Sequence, residues 1–369
     1  MKLMKTTEAV GQVLCHDITQ IIPGVKKDAV FRKGHIITKE DIPVLLSVGK
    51  DTIYIWENDE TMMHENEAAE VLYRMSACGT NSNETDGERH CEAAESGVFG
   101  GTKSKMHPST VKEGKIEVIA DCDGLLKVDS EKLKKVNSFG EMMIATRHGN
   151  TTVKKGDKLA GTRIIPLVIK KDKLKEASNI CEDGPILDIK PFVVRKAAII
   201  TTGNEVYHGR IQDAFTPVIE KKIAEFGAQM MFHEVFDDDD KKITDGCLRA
   251  IEAGAEIVFC TGGMSVDPDD KTPLAIKNTG ARVVSYGSPV LPGAMFLLSY
   301  YDAGDRLVPI CGLPGCAMYN KRTIFDIVLP RLMARDMIYA DELAGLGEGG
   351  LCLNCDVCTF PNCGFGKGF

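Results

Sequence analysis

The sequence predicts an α/β protein with a doubly wound, mostly parallel sheet in residues 192–340. Unbroken apolar strands alternate there with helical patterns, and two of the strands end in glycine turns. Such strands are typical of a parallel sheet that helices cover on both faces. Residues 1–191 predict a mixed α+β N-terminal region, which a loop at 76–110 could divide into two subdomains. Residues 341–369 form a tail rich in Gly and Cys.

Composition excludes several classes of protein. Among 369 residues, 45 Lys and Arg stand against 53 Asp and Glu, and the hydrophobic share of 43% excludes a disordered or fibrous chain. The net charge of −8 and the 6% of aromatic residues argue against a nucleic-acid partner. No apolar run reaches the roughly 20 residues that cross a bilayer, and Met1–Leu14 lacks a signal-peptide core. We therefore expect a cytoplasmic protein without a membrane partner.

The N-terminal region shows short elements of both kinds. Thr38 and Asp41 have the spacing of a capping box, which predicts a helix after them. His64 is expected on the solvated face of a second helix. The further predicted elements are a strand at Thr52–Trp56, a helix at 58–75, a strand at Lys115–Ala120 and strand-like runs around 152–153 and 163–169. The charged segment 170–191 is the predicted linker to the next domain.

The pattern becomes regular after residue 192. The predicted strands are 197–201, Gln229–Phe236, 256–260, 282–286 and 307–311, and the predicted helices are 214–226, 240–253, one from Thr272 and one at 316–335. Thr272 followed by Pro273 predicts a helix with Thr as its N-cap and Pro in its first turn. This alternation of strands and helices is the basis for the fold class.

Glycine turns follow three of these strands. They are Gly203, the pair Gly262-Gly263, and the turn Gly312–Cys316. In parallel sheets, ligands bind outside the carboxyl ends of the strands, and glycine lets the backbone approach an anion closely. Because every βα connection needs a tight turn, one such turn alone would be weak evidence for a ligand. Related turns at neighbouring strand ends favour a phosphate site.

Acidic residues lie beside the glycine turns. Asp237–Asp240 end one strand and open a helix, and Asp267, Asp269 and Asp270 follow the second turn. Carboxylates next to an anion-binding turn would allow a divalent cation to bridge them to phosphate. The simpler interpretation is helix capping, because Asp is favoured in the first turn of a helix. Capping explains part of the first group and leaves the second unexplained.

An ordered series of motifs in residues 195–335 resembles the molybdopterin-binding domain of molybdenum cofactor biosynthesis proteins. The matching motifs are Thr202-Gly203-Asn204-Glu205, the Asp-Asp pair before a helix, Thr261-Gly262-Gly263-Met264-Ser265-Val266, Asp270-Lys271-Thr272-Pro273, Pro292-Gly293 and Leu313-Pro314-Gly315. Adenylyltransferase members often carry a third glycine where this chain has Met264. The resemblance is therefore closer to the molybdenum-inserting, molybdopterin molybdotransferase branch.

The resemblance implies a ligand, a set of site residues and partners. The ligand would be molybdopterin or its adenylate, with its phosphate near the glycine turns. The implied binding residues are Thr202, Gly203, Glu205, Asp239, Thr261, Gly262, Gly263, Ser265, Pro314 and Gly315. By position, Asp238 and Asp270 would be catalytic and would hold Mg²⁺ or molybdate during adenylyl transfer or metal insertion. Related domains form trimers or dimers, which implies a homo-oligomer.

The chain also departs from that family. Asp213-Ala214-Phe215 stands where Asp-Ser-Asn is usual, Cys316 stands where Asn follows Leu-Pro-Gly, and residues 341–369 are too few for the usual C-terminal β domain. Three functions therefore stay open. The first is a molybdopterin molybdotransferase or adenylyltransferase, and the second is a non-catalytic carrier or redox or metal sensor that serves a molybdoenzyme. The third is a nucleotide pyrophosphatase, an activity found in a related group of competence proteins.

The chain contains 13 cysteines, four of them close together in the tail. Without a secretory signal, we expect reduced thiols and a metal site rather than a disulfide framework. Cys352, Cys355, Cys358 and Cys363 have the spacing C-x2-C-x2-C-x4-C. A compact run of this kind predicts a [4Fe–4S] cluster, with a four-thiolate zinc site or a redox tail without metal as alternatives.

Overall fold

The computed structural model describes residues 2–22, 26–55, 59–79, 105–265, 267–268 and 270–368. The strands are β1 (Lys2–Lys5), β2 (Ile18–Ile22), β3 (Lys26–Phe31), β4 (Thr52–Ile55), β5 (Met62–His64), β6 (Met106–Pro108), β7 (Lys115–Ala120), β8 (Gly124–Val128), β9 (Met142–Thr146), β10 (Thr151–Val153), β11 (Lys158–Ile164), β12 (Val168–Lys170), β13 (Leu187–Lys190), β14 (Lys196–Thr202), β15 (Gln229–Phe236), β16 (Ile257–Thr261), β17 (Arg282–Tyr286), β18 (Leu297–Asp302) and β19 (Leu307–Leu313). The helices are α1 (Asp41–Ser47), α2 (Glu65–Ala77), α3 (Ser130–Ser138), α4 (Lys171–Asn179), α5 (Asn204–Tyr207), α6 (Thr216–Ala224), α7 (Asp240–Glu252), α8 (Thr272–Asn278), α9 (Ile324–Met333) and α10 (Ala340–Gly345). No helix in these ranges is long and apolar enough to cross a membrane.

The chain divides into two compact units. The first contains Met1–Asp121, Val128–Arg147 and Lys155–Asp188, and the second contains Cys122–Lys127, His148–Lys154 and Ile189–Phe369. The first unit is built from small antiparallel sheets, among them β6-β7-β11-β9, on which α2 packs. It is a mixed α+β structure. Most of the predicted loop at 76–110 lies outside the described residues, although β6 forms near its end.

The helix predicted at 58–75 begins later than expected. Residues Met62–His64 form β5, which pairs antiparallel with β12, and the helix starts at Glu65. His64 is its N-cap, because its Nδ1 accepts the backbone N–H of Asn66. The same side chain is only 4% exposed, and its Nε2 lies 3.1 Å from the carbonyl oxygen of Cys15. The prediction of a solvated histidine was therefore wrong.

The segment 170–191, which was predicted as the linker, is structured. It contains α4 and β13, and Leu174 and Ala177 of α4 are buried. Its charged residues lie on the solvent face of an amphipathic helix.

The second unit contains a six-stranded mixed sheet in the order β15-β14-β16-β19-β18-β17. Strands β15, β14, β16 and β19 are parallel, and β18 runs antiparallel between β19 and β17. Buried residues of α6 and α9 pack on one face of the sheet, and those of α7 and α8 pack on the other. The doubly wound α/β fold is confirmed for this part of the chain. Strand β18 was not predicted from the sequence.

The final predicted helix, 316–335, is two separate elements. A 3-10 turn at Gly315–Met318 is followed by α9, which begins again after Thr323. A capping box restarts the helix: Thr323 accepts the N–H of Phe325, and Asp326 accepts the N–H of Thr323.

A buried carboxylate, Asp336, links several parts of the second unit. Its side chain is 6% exposed and pairs with Lys127, Lys190 and Arg331. Burial alone would raise the pKa of Asp336, but hydrogen bonds from the two lysines and the charge of Arg331 lower it from 3.8 to about 2. The carboxylate is therefore ionised and bonded to three cations, one of which comes from β8 and one from β13.

We expect Asp336→Asn to lower the free energy of unfolding by about 3 kcal/mol at neutral pH, because three cations lose their shared partner. Urea unfolding followed by circular dichroism measures this. The pKa of Asp336 is depressed in the folded state, so its contribution is present above pH about 4 and is lost as the pH falls towards 2. Asp305→Asn is the control, since that side chain is 71% exposed. Equal stability of the two variants would contradict this role of Asp336.

Candidate functional site

Strand register places the three glycine turns at one edge of the sheet. Thr201 pairs with Thr261, and Thr261 pairs with Leu313, so β14, β16 and β19 end at the same level. Gly203 follows the first of these strands, and Gly262-Gly263 follow the second. The turn Pro314-Gly315 follows the third, and a Cβ at Gly315 would meet no atom within 4 Å. The carboxyl edge therefore presents three turns side by side.

The first and second turns are in direct contact. A Cβ at Gly262 would lie 2.1 Å from the carbonyl oxygen of Thr202, and one at Gly263 would lie 2.8 Å from Oγ1 of Thr272. Both glycines also have positive φ, at 81° and 53°. Only residues without a side chain allow the two turns to approach this closely. The glycines thus make one continuous backbone surface from two separate connections.

Thr272 ties this surface to α8. The sequence predicts Thr272 as the N-cap of α8, but Lys271 occupies that position and Thr272 lies inside the helix. The prediction of Thr272 as the N-cap is therefore wrong, because its side chain has other partners. The Thr272 hydroxyl donates to the carbonyl of Gly262 at 2.9 Å and lies 3.0 Å from Oγ1 of Thr202. It bridges the two turns and is fully buried.

The acidic run after β15 reaches the first turn through Asp238, whose Oδ2 accepts the backbone N–H of Asn204 at 3.2 Å. Asp239 caps α7, since its Oδ1 accepts the N–H groups of Lys241 and Lys242. The two candidate carboxylates therefore have different surroundings. Asp238 lies at the glycine turn, and Asp239 has the capping role that sequence reasoning offered as the simpler alternative.

Asp270 lies beyond the second turn, near Tyr286 at the end of β17. Burial and the charge of Asp270 raise the pKa of Tyr286, and its hydroxyl donates to the carbonyl of Met264 at 3.0 Å. Ser265 is exposed next to Met264, and Asp269 lies outside the described residues. On the first turn, the Glu205 carboxylate lies over Gly203, 3.1 Å from the position of a Cβ. The sheet edge thus carries carboxylates beside both turns.

A polar network under the first turn was missed by the sequence analysis. Oδ2 of Asp213 accepts hydrogen bonds from Thr201 at 2.9 Å and Thr216 at 2.6 Å, and lies 3.5 Å from Nε2 of His233. Burial alone would raise the pKa of Asp213, but hydrogen bonds from Thr216, Thr201 and the Phe215 N–H lower it below its ordinary value. Asp213 stands three residues before the Thr-Pro pair that opens α6. This spacing is a capping signal, and it could have revealed the network from the sequence.

Thr261, a predicted ligand residue, has a fully buried side chain. Its Oγ1 has no hydrogen-bond partner among the described residues. It pairs across the sheet with Thr201, which belongs to the Asp213 network. Thr261 therefore lies below the turn surface, in the same layer as that network.

The four tail thiols that were predicted as metal ligands do not lie together in this structure. In the described ranges, no group of three or more His, Cys, Asp or Glu side chains gathers as metal ligands. Cys352 and Cys363 pack against the large core cluster, whereas Cys355 and Cys358 are exposed. The [4Fe–4S] cluster and the zinc site stay predictions.

Specific contacts hold the tail in this arrangement. Lys321 donates to the carbonyls of Cys355 and Asp356, at 3.3 and 3.1 Å. The backbone of Leu291 exchanges hydrogen bonds with Gly350 and Cys352, both at 2.8 Å. The prediction of reduced thiols holds for eleven described cysteines and is wrong for Cys78, which is disulfide-bonded.

A doubly wound sheet with contacting glycine turns at its carboxyl edge defines a class of α/β domain that binds phosphorylated ligands. Residues 198–334 match the family described as "Probable molybdopterin binding domain". Residues 3–57 match a domain of unknown function, DUF8806. The second unit thus contains a region similar to a molybdopterin-binding domain.

The curated relatives share only a part of the chain. They include competence-damage inducible proteins of Bacillus velezensis (29% identical over 90 residues, 24% of this chain and 21% of that protein) and Geobacillus sp. (33% over 88 residues, 24% and 20%). That of Bacillus cereus is 32% identical over 129 residues, 35% of this chain and 30% of that protein. The chain spans about a fifth to a third of the length of these relatives.

Solved structures with a similar domain include the tungsten cofactor synthesizing protein MoaB from Pyrococcus furiosus. It is 19% identical, and the match covers 38% of this chain and 88% of that one with a TM-score of 0.31. The molybdopterin biosynthesis Mog protein from Mycobacterium ulcerans is 18% identical, with 41% and 99% covered and a TM-score of 0.30.

We expect Gly262→Ala to destabilise the second unit by about 3 kcal/mol or more. The new Cβ would overlap the Thr202 carbonyl, and an alanine with a positive φ is itself unfavourable. Gly280→Ala is the matched control, since Gly280 has a similar φ of 85° and open space around it. Its cost should be about 1 kcal/mol. Thermal and urea unfolding of the two variants measure the difference. Equal losses would contradict the close contact between the turns.

Proposed function

We propose that the chain binds molybdopterin, or its adenylate, at the carboxyl edge of the six-stranded sheet and acts in molybdenum cofactor biosynthesis. The observation that carries this proposal is the contact of Gly262 with Thr202, which joins two glycine turns into one backbone surface. Such a surface accepts phosphate oxygens without obstruction by side chains. The family match over residues 198–334 supports a pterin phosphate as the anion.

The proposed binding residues divide by the part of the ligand that they face. Gly203, Gly262, Gly263 and Gly315 would hold the phosphate through their backbones. Glu205 would contact the pterin side, because its carboxylate lies beside Gly203 at the same edge. The exposed Ser265 would add a hydroxyl next to the second turn. The buried Thr202 and Thr261 would support the turns from below, and Pro314 would set the third turn.

Asp238 and Asp270 are the proposed catalytic carboxylates. Each lies beside a different glycine turn, Asp238 through Asn204 and Asp270 through Tyr286. Mg²⁺ is commonly held by one or two carboxylates together with phosphate oxygens and water, so two carboxylates beside a phosphate surface fit that cation. Bound there, Mg²⁺ would neutralise charge on the phosphate, and molybdate would enter as a substrate. We place the chain nearest the molybdate-inserting reaction.

A specific observation favours a second candidate, a binding module without turnover. Asp238 accepts a backbone N–H and Asp239 caps α7, so part of their acceptor capacity serves the fold. Such a module would carry molybdopterin to a molybdoenzyme. The two candidates share the ligand and differ only in turnover.

The test uses the full chain with adenylylated molybdopterin, Mg²⁺ and molybdate, and measures bound pterin and released AMP. We expect Asp270→Asn to lower the rate of AMP release by roughly a hundredfold, because the Mg²⁺ that would neutralise the reacting phosphate loses a carboxylate ligand, while pterin binding changes little. Asp267→Asn is the matched control, since Asp267 is an exposed aspartate three residues away. It should leave both quantities unchanged.

The outcomes separate the candidates. Pterin binding without AMP release from the unaltered chain would favour the carrier, and full activity of Asp270→Asn would remove Asp270 from the reaction. A chain that binds no pterin and instead hydrolyses ADP-ribose would overturn both candidates.

A further inference from the structure

The tail carries two thiols that reach solvent. Among the cysteines that the structure describes, Cys355 and Cys358 are the exposed ones, and the others are buried or half-buried. Val357, which lies between them, is 77% exposed, so the loop is open to a dissolved reagent. Accessibility is the first requirement for a reactive thiol. The proposed pterin site uses neither cysteine, and the two exposed thiols therefore have no part in the function proposed above.

The exposed thiols flank a bend in the chain. Two residues, Asp356 and Val357, separate Cys355 from Cys358, and the chain bends at both of them. None of the four residues lies in a helix or strand, so no regular backbone bonding opposes a small movement of the loop. A disulfide needs Cα atoms about 4.4–6.8 Å apart, and a bend shortens the distance between the residues on either side of it. Two intervening residues are also the spacing of dithiols that exchange disulfides.

Basic residues fix the backbone of this loop. Lys321 donates to the carbonyl oxygens of Cys355 and Asp356, at 3.3 and 3.1 Å. On the other side of the bend, the guanidinium carbon of Arg322 lies 5.1 Å from the centre of the Phe360 ring. The loop is therefore anchored on both sides, while its thiol groups stay at the surface. Such anchoring lowers the conformational entropy that is lost when a disulfide closes.

Cys358 has the surroundings of an attacking sulfur. Its Sγ accepts hydrogen bonds from the backbone N–H of Phe360 and from the side chain of Arg322. Arg322 is itself held in place by Asp326, at 2.8 Å. A neighbouring cation and an N–H donor stabilise negative charge on sulfur, and the thiolate is the form of cysteine that attacks a disulfide. The two thiols can therefore take different roles, with Cys358 reacting first and Cys355 second.

We propose that Cys355 and Cys358 form a reversible disulfide by exchange with a low-molecular-weight disulfide such as glutathione disulfide. The sulfur of Cys358 attacks one sulfur of the reagent, so that a new S–S bond forms and the S–S bond of the reagent breaks. The first glutathione leaves as a thiolate and takes up the proton that Cys358 gave up. Cys355 then attacks the sulfur of Cys358, and the second glutathione leaves with the proton of Cys355. Two thiols of the chain are oxidised, and one glutathione disulfide is reduced to two glutathione molecules.

The other two tail cysteines take no part in this exchange. Cys352 and Cys363 are half-buried and pack against the large core cluster, so a dissolved disulfide reaches the outer pair first. A metal ion held by all four thiolates would make the four cysteines equally important, whereas the exchange requires only Cys355 and Cys358. This inference is independent of the proposed pterin function.

Mass spectrometry of the full chain in glutathione buffers tests the proposal. The reduced chain, without added metal or pterin, is equilibrated with rising ratios of oxidised to reduced glutathione, and the remaining thiols are blocked with iodoacetamide. We expect one disulfide per chain between Cys355 and Cys358, located by fragmentation of the tail peptide. Dithiothreitol should reverse it completely.

Variants separate the roles of the two thiols. Cys355→Ser should stop at a mixed disulfide between Cys358 and glutathione, and Cys358→Ser should react with glutathione disulfide at least about tenfold more slowly. Cys363→Ser is the matched control and should form the same disulfide at the same glutathione ratio as the unaltered chain. Arg322→Gln should slow the reaction of Cys358 about tenfold. Arg282→Gln, at an exposed arginine of β17, should leave that rate unchanged.

The absence of a disulfide between Cys355 and Cys358 at every glutathione ratio would overturn the proposal. Loss of that disulfide in a folded Cys363→Ser, checked by circular dichroism, would do the same, because the tail thiols would then act together. Zinc or iron that stays on the untreated chain and blocks both exposed thiols would overturn it as well. The measurement contains no pterin, so its failure is distinguishable from a failure of the pterin proposal.

Discussion

The candidate site depends on the approach of the Gly262 turn to the carbonyl of Thr202. Two connections that are about 60 residues apart in sequence meet there without intervening side chains. Thr272 reinforces the contact from α8, since its hydroxyl bonds to Gly262 and lies beside that of Thr202. A helix, two strands and two turns are therefore positioned by one small region. A change in this region would move every group that faces the ligand.

Both ends of the sheet carry polar groups that the fold has to hold. At the carboxyl edge, Asp213 joins the end of β14 to the start of α6 through Thr201 and Thr216. At the amino edge, Asp336 collects cations from β8, β13 and α9. Each carboxylate therefore connects a strand to a helix through its own hydrogen bonds or ion pairs. The edges differ in chemistry, since one is formed by glycine turns and the other carries paired charges.

Local patterns predicted the sheet well, because elements such as Gln229–Phe236 and α7 follow from periodicity and capping alone. The turns were also found, since glycine marks a strand end. Contacts across the fold could not be found in this way. Asp213 meets His233 only through the register of β14 and β15, and His64 is buried by a strand pair that its own sequence does not indicate. Cysteine spacing shows only that four thiolates are close enough in sequence to share a metal ion. The positions of Cys352 and Cys363 depend on the core against which they pack.

The antiparallel strand β18 has a consequence for what borders the ligand edge. If β18 were parallel to β17, the chain would have to return to the amino edge before β18 began. Because the two strands are antiparallel, β17 ends and β18 begins at the carboxyl edge. The loop at 287–296 therefore stays at that edge. Leu291 of that loop is bonded to Gly350 and Cys352. The cysteine-bearing tail is thus tethered to the edge of the sheet at which the glycine turns lie. The segment that carries these thiols is therefore joined by backbone hydrogen bonds to the same sheet edge that carries the glycine turns.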